Sequence, residues 1–279
     1  MLIKVNFCKN TSLKRILEHI LYLVIIFILV PVFLYFELCV VLPAILEEWS
    51  VPYVIHYCCA IFLLLNIVGN MIFGMFTDTS VKGKVSLFVD KEDWTMCAAC
   101  EFPRPPRAWH CDTCNVCILK RDHHCTFFAC CIGYYNHRYF MLFTLDIFVA
   151  MLYAFYFNVQ FLAHFISWNH GFIIIKFIFP LASFVLDFGT ETIYVFLVVL
   201  NFIVGLFTGF LFIYHFNNIL KGKITPENKN DSKSMYDKGW KSNLIEVFGS
   251  RWYVTWISPF IHSPLPGNGV QWIVLDKNK

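Results

Sequence analysis

Residues 97–131 read CAACEFPRPPRAWHCDTCNVCILKRDHHCTFFACC and hold eight of the chain's 12 cysteines. The order is Cys97-x2-Cys100, then His110-Cys111-x2-Cys114-x2-Cys117, then His123-His124-Cys125 and Cys130-Cys131. Thiolates and imidazoles at two-residue spacing suit tetrahedral zinc, because a tight turn brings both sulfurs onto one ion. Two four-coordinate sites need eight ligands. Cys97, Cys100, Cys111, Cys114, Cys117 and Cys131 supply six, and two histidines complete the set. Cys125 is left over, beside a histidine. Spacing keeps two readings of it open, a spare ligand in a structural module or a nucleophile favoured by an imidazole and by Lys120 and Arg121. The segment is poor in apolar residues, so metal is expected to supply much of its folding free energy.

On either side the chain turns apolar. Four runs, Ile16–Phe36, Val54–Phe76, Tyr139–Ala163 and Thr192–Phe216, reach the roughly 20 residues that cross a bilayer core. The first lacks a small-residue cleavage site after it and is not read as a signal peptide. Phe172–Leu186 is shorter and contains Lys176 and Pro180, so it is read as re-entrant or interfacial. With 58% hydrophobic and only 15% charged residues, the chain lacks the polar surface of a soluble domain. The basic residues test the span count. With four spans, 21 of the 22 Lys and Arg fall on one side, Lys176 alone on the other, as expected of a cytosolic face. Five spans would strand the nine in the tail on the wrong side.

The expected fold is therefore an all-α membrane protein of four spans, with a cytosolic, zinc-stabilised cysteine-rich domain between spans two and three. Residues 1–76 carry the cytosolic N-terminus and two spans, 77–138 the cysteine-rich domain, 139–216 the other two spans, and 217–279 a cytosolic tail. Residues 164–191 form the lumenal or re-entrant segment, and Glu47–Ser50 a lumenal turn. Asn66, Asn70, Asn158, Gln160 and Asn201 are expected to hydrogen-bond between helices. Leu244–Ile257 is apolar but too short to span, so it should pack on the membrane face or the cysteine-rich domain. No internal repeat is evident. Nucleic acid is a poor partner, since the basic residues form no dense stripe; membrane lipid is the expected one.

Cys97 to Phe140 resembles the DHHC cysteine-rich domain of protein S-acyltransferases (palmitoyltransferases). The matching residues are Cys97-x2-Cys100, Pro105-Pro106-Arg107-x2-His110-Cys111, Cys114-x2-Cys117, Asp122-His123-His124-Cys125, Cys131, Gly133, Asn136 and Phe140. Ile224-Thr225-Pro226-Glu227 is similar to the family's Thr-Thr-x-Glu motif. Tyr236-Asp237-x-Gly239 with Asn243 and Val247-Phe248-Gly249 is similar to its C-terminal motif.

The resemblance implies one zinc on Cys97, Cys100, His110 and Cys117, and a second on Cys111, Cys114, His124 and Cys131. It implies that Cys125 takes an acyl group, palmitoyl by expectation, from acyl-CoA and passes it to cysteines of substrate proteins. His123 would be general base, oriented by Asp122. Arg104, Arg107, Lys120, Arg121 and Arg138 are candidates for the coenzyme A phosphates. An endoplasmic reticulum or Golgi membrane is the expected home, with both termini cytosolic. The chain departs from the family where Pro-Trp-Val-Asn-Asn becomes Thr126-Phe127-Phe128-Ala129-Cys130, where Asp-Pro-Gly becomes Thr77-Asp78-Thr79, and at Ile224. Those departures motivate an alternative, a weak or inactive DHHC-like zinc scaffold. A RING-type ubiquitin ligase fits poorly, since a RING ends in two well-separated Cys pairs and here only the adjacent Cys130-Cys131 remains.

Overall fold

A computed structural model describes residues 13–85, 93–165, 172–229 and 235–274. Cys8 and the C-terminal Asp276–Lys279 lie outside them. Four helices are long and apolar enough to cross a membrane: Ile16–Ile45, Val51–Phe76, His137–Phe165 and Thr190–Leu220. Each extends past the apolar run that marks it, most of all the first, which continues nine residues beyond Phe36.

Two prolines shape that first span. A proline inside a helix removes one N–H and presses its ring on the carbonyl four residues back. For Pro31 and Pro43 those carbonyls belong to Phe27 and Cys39, and both fall in π-helical stretches, Ile25–Leu29 and Phe36–Val41. The wider turn relieves the clash and lets the helix run on. Phe172–Leu186 is no span; it forms two short helices, Phe172–Ile178 and Pro180–Leu186, broken ahead of Pro180. Lys176 Nζ meets Asp187 Oδ2 at 2.8 Å and Glu191 Oε2 at 3.5 Å.

The chain divides into two compact units whose boundary falls within each span. One comprises Val24–Leu65 and Thr144–Leu211. Its core is Phe36, Val41, Phe161, Leu162, Val195, Leu197 and Val198, drawn from the first, third and fourth spans. Polar side chains pair across these helices. Asn158 donates to Glu37 at 2.7 Å, Asn201 Nδ2 lies 3.2 Å from Met151 Sδ, and Tyr153 bonds His56.

The other unit holds the remaining described residues, up to Leu23, Asn66–Phe143 and Phe212 onward. Between spans two and three lie three antiparallel hairpins: β1 (Thr95–Cys97) with β2 (Phe102–Arg104), β3 (Trp109–Cys111) with β4 (Val116–Ile118), and β5 (His123–Cys125) with β6 (Cys130–Ile132). Asn136 is fully buried and ties the last of these to the second span. Its Nδ2 donates to Gly74 O and Cys131 O, while its Oδ1 accepts from Gly133 N–H. Gly74 is needed there, because a Cβ would stand 2.2 Å from the Phe128 ring.

The tail returns to the hairpins through its helix Trp240–Phe248, which buries Leu244, Val247 and Phe248. Asn243 Nδ2 donates to Leu220 O, closing the end of the fourth span. Arg107, at 5% exposure, makes a two-pronged pair with Glu227 at 2.9 Å on each side. Its guanidinium carbon lies over the Tyr236 and Trp272 rings, 4.5 and 4.6 Å from their centroids.

Candidate active site and metal clusters

The three hairpins are repeats that the amino-acid identities conceal. Each has a four-residue loop, and the last loop residue adopts a left-handed conformation: Glu101 (φ 49°), Asn115 (φ 50°) and Ala129 (φ 48°). The period is 14 residues. Cys97, Cys111 and Cys125 end the first strand of each hairpin, and Cys100, Cys114 and Phe128 occupy the third loop position. The expectation of no internal repeat is thus corrected. Backbone shape repeats while few positions beyond the ligands keep their residue type, so composition does not reveal it.

The repeat explains how the metal ligands are shared. Each cluster takes two cysteines from one hairpin and a histidine and a cysteine from the next. Cys97, Cys100, His110 and Cys117 form the first group; Cys111, Cys114, His124 and Cys131 form the second. Within each group the ligand atoms all lie within 4.8 Å of one another, so each can hold a metal ion. In the first, Cys100 Sγ is 3.2 Å from His110 Nδ1 and 3.8 Å from Cys117 Sγ. In the second, Cys114 Sγ is 3.3 Å from His124 Nδ1 and 3.8 Å from Cys131 Sγ. A tetrahedral ion with thiolates at about 2.3 Å and imidazole at about 2.0 Å needs edges of roughly 3.5–3.8 Å. The donor set fits.

The third hairpin breaks the series. Cys125 stands at the first ligand position, but Phe128 replaces its partner, and Phe128 is turned inward at 1% exposure against Phe143. Cys125 belongs to neither four-ligand group. It keeps the turn's other property: the backbone N–H groups of Phe127 and Phe128 point at its sulfur. Burial pushes the Cys125 thiol up to about 11 despite those two donors.

Strand alternation divides the tetrad. Successive residues of β5 face opposite sides, so His124 turns to its cluster while His123 and Cys125 share the other face. On that face Asp122, at 2% exposure, accepts from His123 Nδ1 at 2.7 Å. The same carboxylate oxygen lies 3.1 Å from His215 Nδ1 of the fourth span. Thr225 donates to Oδ1 through its N–H at 2.9 Å and its hydroxyl at 3.1 Å. Burial alone would raise the Asp122 carboxyl, but the hydrogen bond from His123 and the nearby His215 and His137 rings hold it well below the usual carboxylate range. Asp122 is therefore an anion that fixes the His123 tautomer, leaving Nε2 free to accept a proton. Phe140 packs edge-on against both rings, 4.8 Å from His123 and 5.0 Å from His215. His215 carries no signal in the sequence; it is one polar residue in a long apolar run.

Of the five basic residues expected at phosphate, Arg107 and Lys120 share one carboxylate, Glu246. Arg107 and Lys120 are buried, Lys120 Nζ meeting Glu246 Oε1 at 2.7 Å, so their charges are matched inside the chain and open to no phosphate. Arg121 lies against the sulfurs of Cys131 and Cys111. Arg104 and Arg138 stay nearer the surface. Arg104 donates to Thr95 Oγ1 and covers the Trp109 ring, and Arg138 donates to Ser263 O.

Residues 90–232 match the family model described as DHHC palmitoyltransferase. The chain is 30% identical over 224 residues to "Probable palmitoyltransferase ZDHHC24" of Mus musculus, covering 76% of this chain and 75% of that protein. The Danio rerio protein of the same name is 33% identical over 234 residues, covering 81% and 78%. "Palmitoyltransferase PFA3" of Debaryomyces hansenii is 29% identical over 186 residues, covering 61% and 44%. With four membrane-spanning helices, two metal-ligand clusters and a cysteine held clear of both, the chain belongs to the DHHC palmitoyltransferase family of protein S-acyltransferases.

Proposed function

We propose that this chain transfers a long-chain acyl group, palmitoyl foremost, from acyl-CoA to cysteines of substrate proteins through an acyl-Cys125 intermediate. One observation carries the reading: Cys125 sits in a metal-knuckle turn that lacks its second ligand, on the strand face that also presents His123. His123 Nε2 takes the Cys125 thiol proton, and the sulfur attacks the thioester carbonyl. The bond to the coenzyme A sulfur then breaks, and the leaving thiolate takes the proton back from His123. A substrate cysteine repeats these steps on the acyl-enzyme and restores free Cys125. One thioester is exchanged for another at each stage, so alignment and charge stabilisation matter more than driving force. The Phe127 and Phe128 N–H groups stabilise the Cys125 thiolate, and the Asp122 anion supports the imidazolium. Zinc is the metal that a Cys3His set best suits, and it would hold the hairpins rigid while taking no part in the chemistry. Arg104 and Arg138, half-buried at the surface, remain the basic residues we assign to coenzyme A phosphates.

The charge distribution supports a cytosolic cysteine-rich domain and cytosolic termini; an endoplasmic reticulum or Golgi membrane is the home expected from the family resemblance. Incubating the purified protein with palmitoyl-CoA and mapping the adduct by mass spectrometry tests the reading. Wild type should carry a hydroxylamine-sensitive palmitoyl group on Cys125, and Cys125→Ser should carry none. Equal labelling of both, through Cys130 for instance, would remove Cys125 as the nucleophile. A folded wild type with both ions bound and no adduct would favour the scaffold alternative.

A further inference from the structure

Each metal-binding histidine presents Nδ1 to its cluster and leaves Nε2 for a second partner. Around such centres the other ring N–H is almost always held by a carboxylate, carbonyl or water, which fixes the tautomer and strengthens the ligand. The two clusters solve this differently. His110 Nε2 lies 3.7 Å from Asp112, whose side chain is fully in solvent. His124 Nε2 lies 3.0 Å from Oε2 of Glu18, whose side chain is 4% exposed. Glu18 comes from the helical segment Leu13–Val24, 106 residues earlier, just inside the start of the first span.

We infer that Glu18 is a positioning residue that holds His124 on the second metal ion from the membrane side. Several observations converge on it. An ionisable residue inside a span is costly to keep and calls for a specific partner. Glu18 has one in His124, while among the described residues its buried Oε1 has no hydrogen-bond partner, which leaves that single bond to His124. Arg121, against the Cys131 and Cys111 sulfurs of the same cluster, offsets the negative charge that Glu18 adds. Glu18 is also near enough to act electrostatically on Cys125. Since His124 and Cys125 are neighbours on β5, anything that moves His124 moves the nucleophile. The inference rests on the reading of this cluster as a zinc site.

The full-length protein in detergent, challenged with a chromophoric zinc chelator, tests it. Zinc release is followed alongside mass-spectrometric mapping of alkylated cysteines. Wild type should hold two ions. In Glu18→Gln and Glu18→Ala, one ion should leave about 10–100-fold faster. Cys111, Cys114 and Cys131 should become alkylated while Cys97, Cys100 and Cys117 stay protected. Glu37→Gln removes another carboxylate of the first span, a half-buried one, and should leave both ions in place. Unchanged release and labelling in both Glu18 variants would overturn the inference. So would equal exposure of all six cysteines, or a matching effect of Glu37→Gln, either of which means general loss of fold. Fewer than two zinc ions in wild type would instead sink the zinc reading beneath it.

Discussion

Asp122 is the residue on which three parts of the chain meet: the third hairpin through His123, the fourth span through His215, and the tail through Thr225. Hydrogen bonds to a buried anion are worth about 1.5–3 kcal/mol each. Thr225→Val removes the hydroxyl but keeps the backbone N–H, so single-turnover acylation of Cys125 should slow by roughly tenfold or somewhat more. His215→Gln should slow the same step while leaving both metal ions bound. An unchanged acylation rate in both variants would mean that Asp122 needs only His123. Cys125 stands out in the sequence because the ligand count leaves it over, while His123 and Asp122 are singled out by the family resemblance. Thr225 is legible only through its motif. His215 and Glu18 are not legible at all, since a polar residue in an apolar run shows that it needs a partner and not which one.

At the scale of elements, the third hairpin depends on a close approach that only glycine permits. Gly74→Ala puts a methyl group into the Phe128 ring, where overpacking typically costs about 1–3 kcal/mol. The melting temperature of the purified protein should fall. Gly74→Ala combined with Phe128→Leu should recover part of the loss, and a double variant no better than the single one would refute this packing account. Chelation should act on the same hairpins from the other side. Each has only three-residue strands, so metal removal should open residues 93–136 to protease while the four spans stay protected. Apolar run length reveals the spans, yet their ends lie further out, at His137 and Leu220 for example. Polar helical turns beyond an apolar run leave no mark in hydropathy. The hairpin strands are too short for a period-two pattern to register.

For the molecule as a whole, the buried charges in the unit that contains the hairpins concentrate where the tail docks. Burial would raise the Glu246 carboxyl, but Lys120 and Arg107 bring it down to about 2. A depressed carboxyl contributes stability that is complete above its unfolded value of about 4.3 and disappears as pH falls toward the folded one. Protection of the tail from protease should therefore weaken as the pH is lowered from about 5. Metal-ligand groups are protonated in the same range, so the informative comparison is with Glu246→Gln. That variant leaves Lys120 buried without its counter-charge, a change that typically costs about 3–5 kcal/mol. Its tail should already be sensitive at pH 7; a tail equally protected in both proteins at that pH would rule the network out as the clasp. Neither Arg107 nor Lys120 shows in the sequence which carboxylate it will meet, because Glu227 and Glu246 lie more than a hundred residues away.

The 14-residue register has one more consequence, for how the protein is made. The first ion needs nothing beyond Cys117, whereas the second must wait until Cys131 has left the ribosome. The middle hairpin serves both, so the first closure prepares half of the second. The ligand sets are thus completed from the N-terminal side like a zip, and the last hairpin to be completed is the one that carries Cys125.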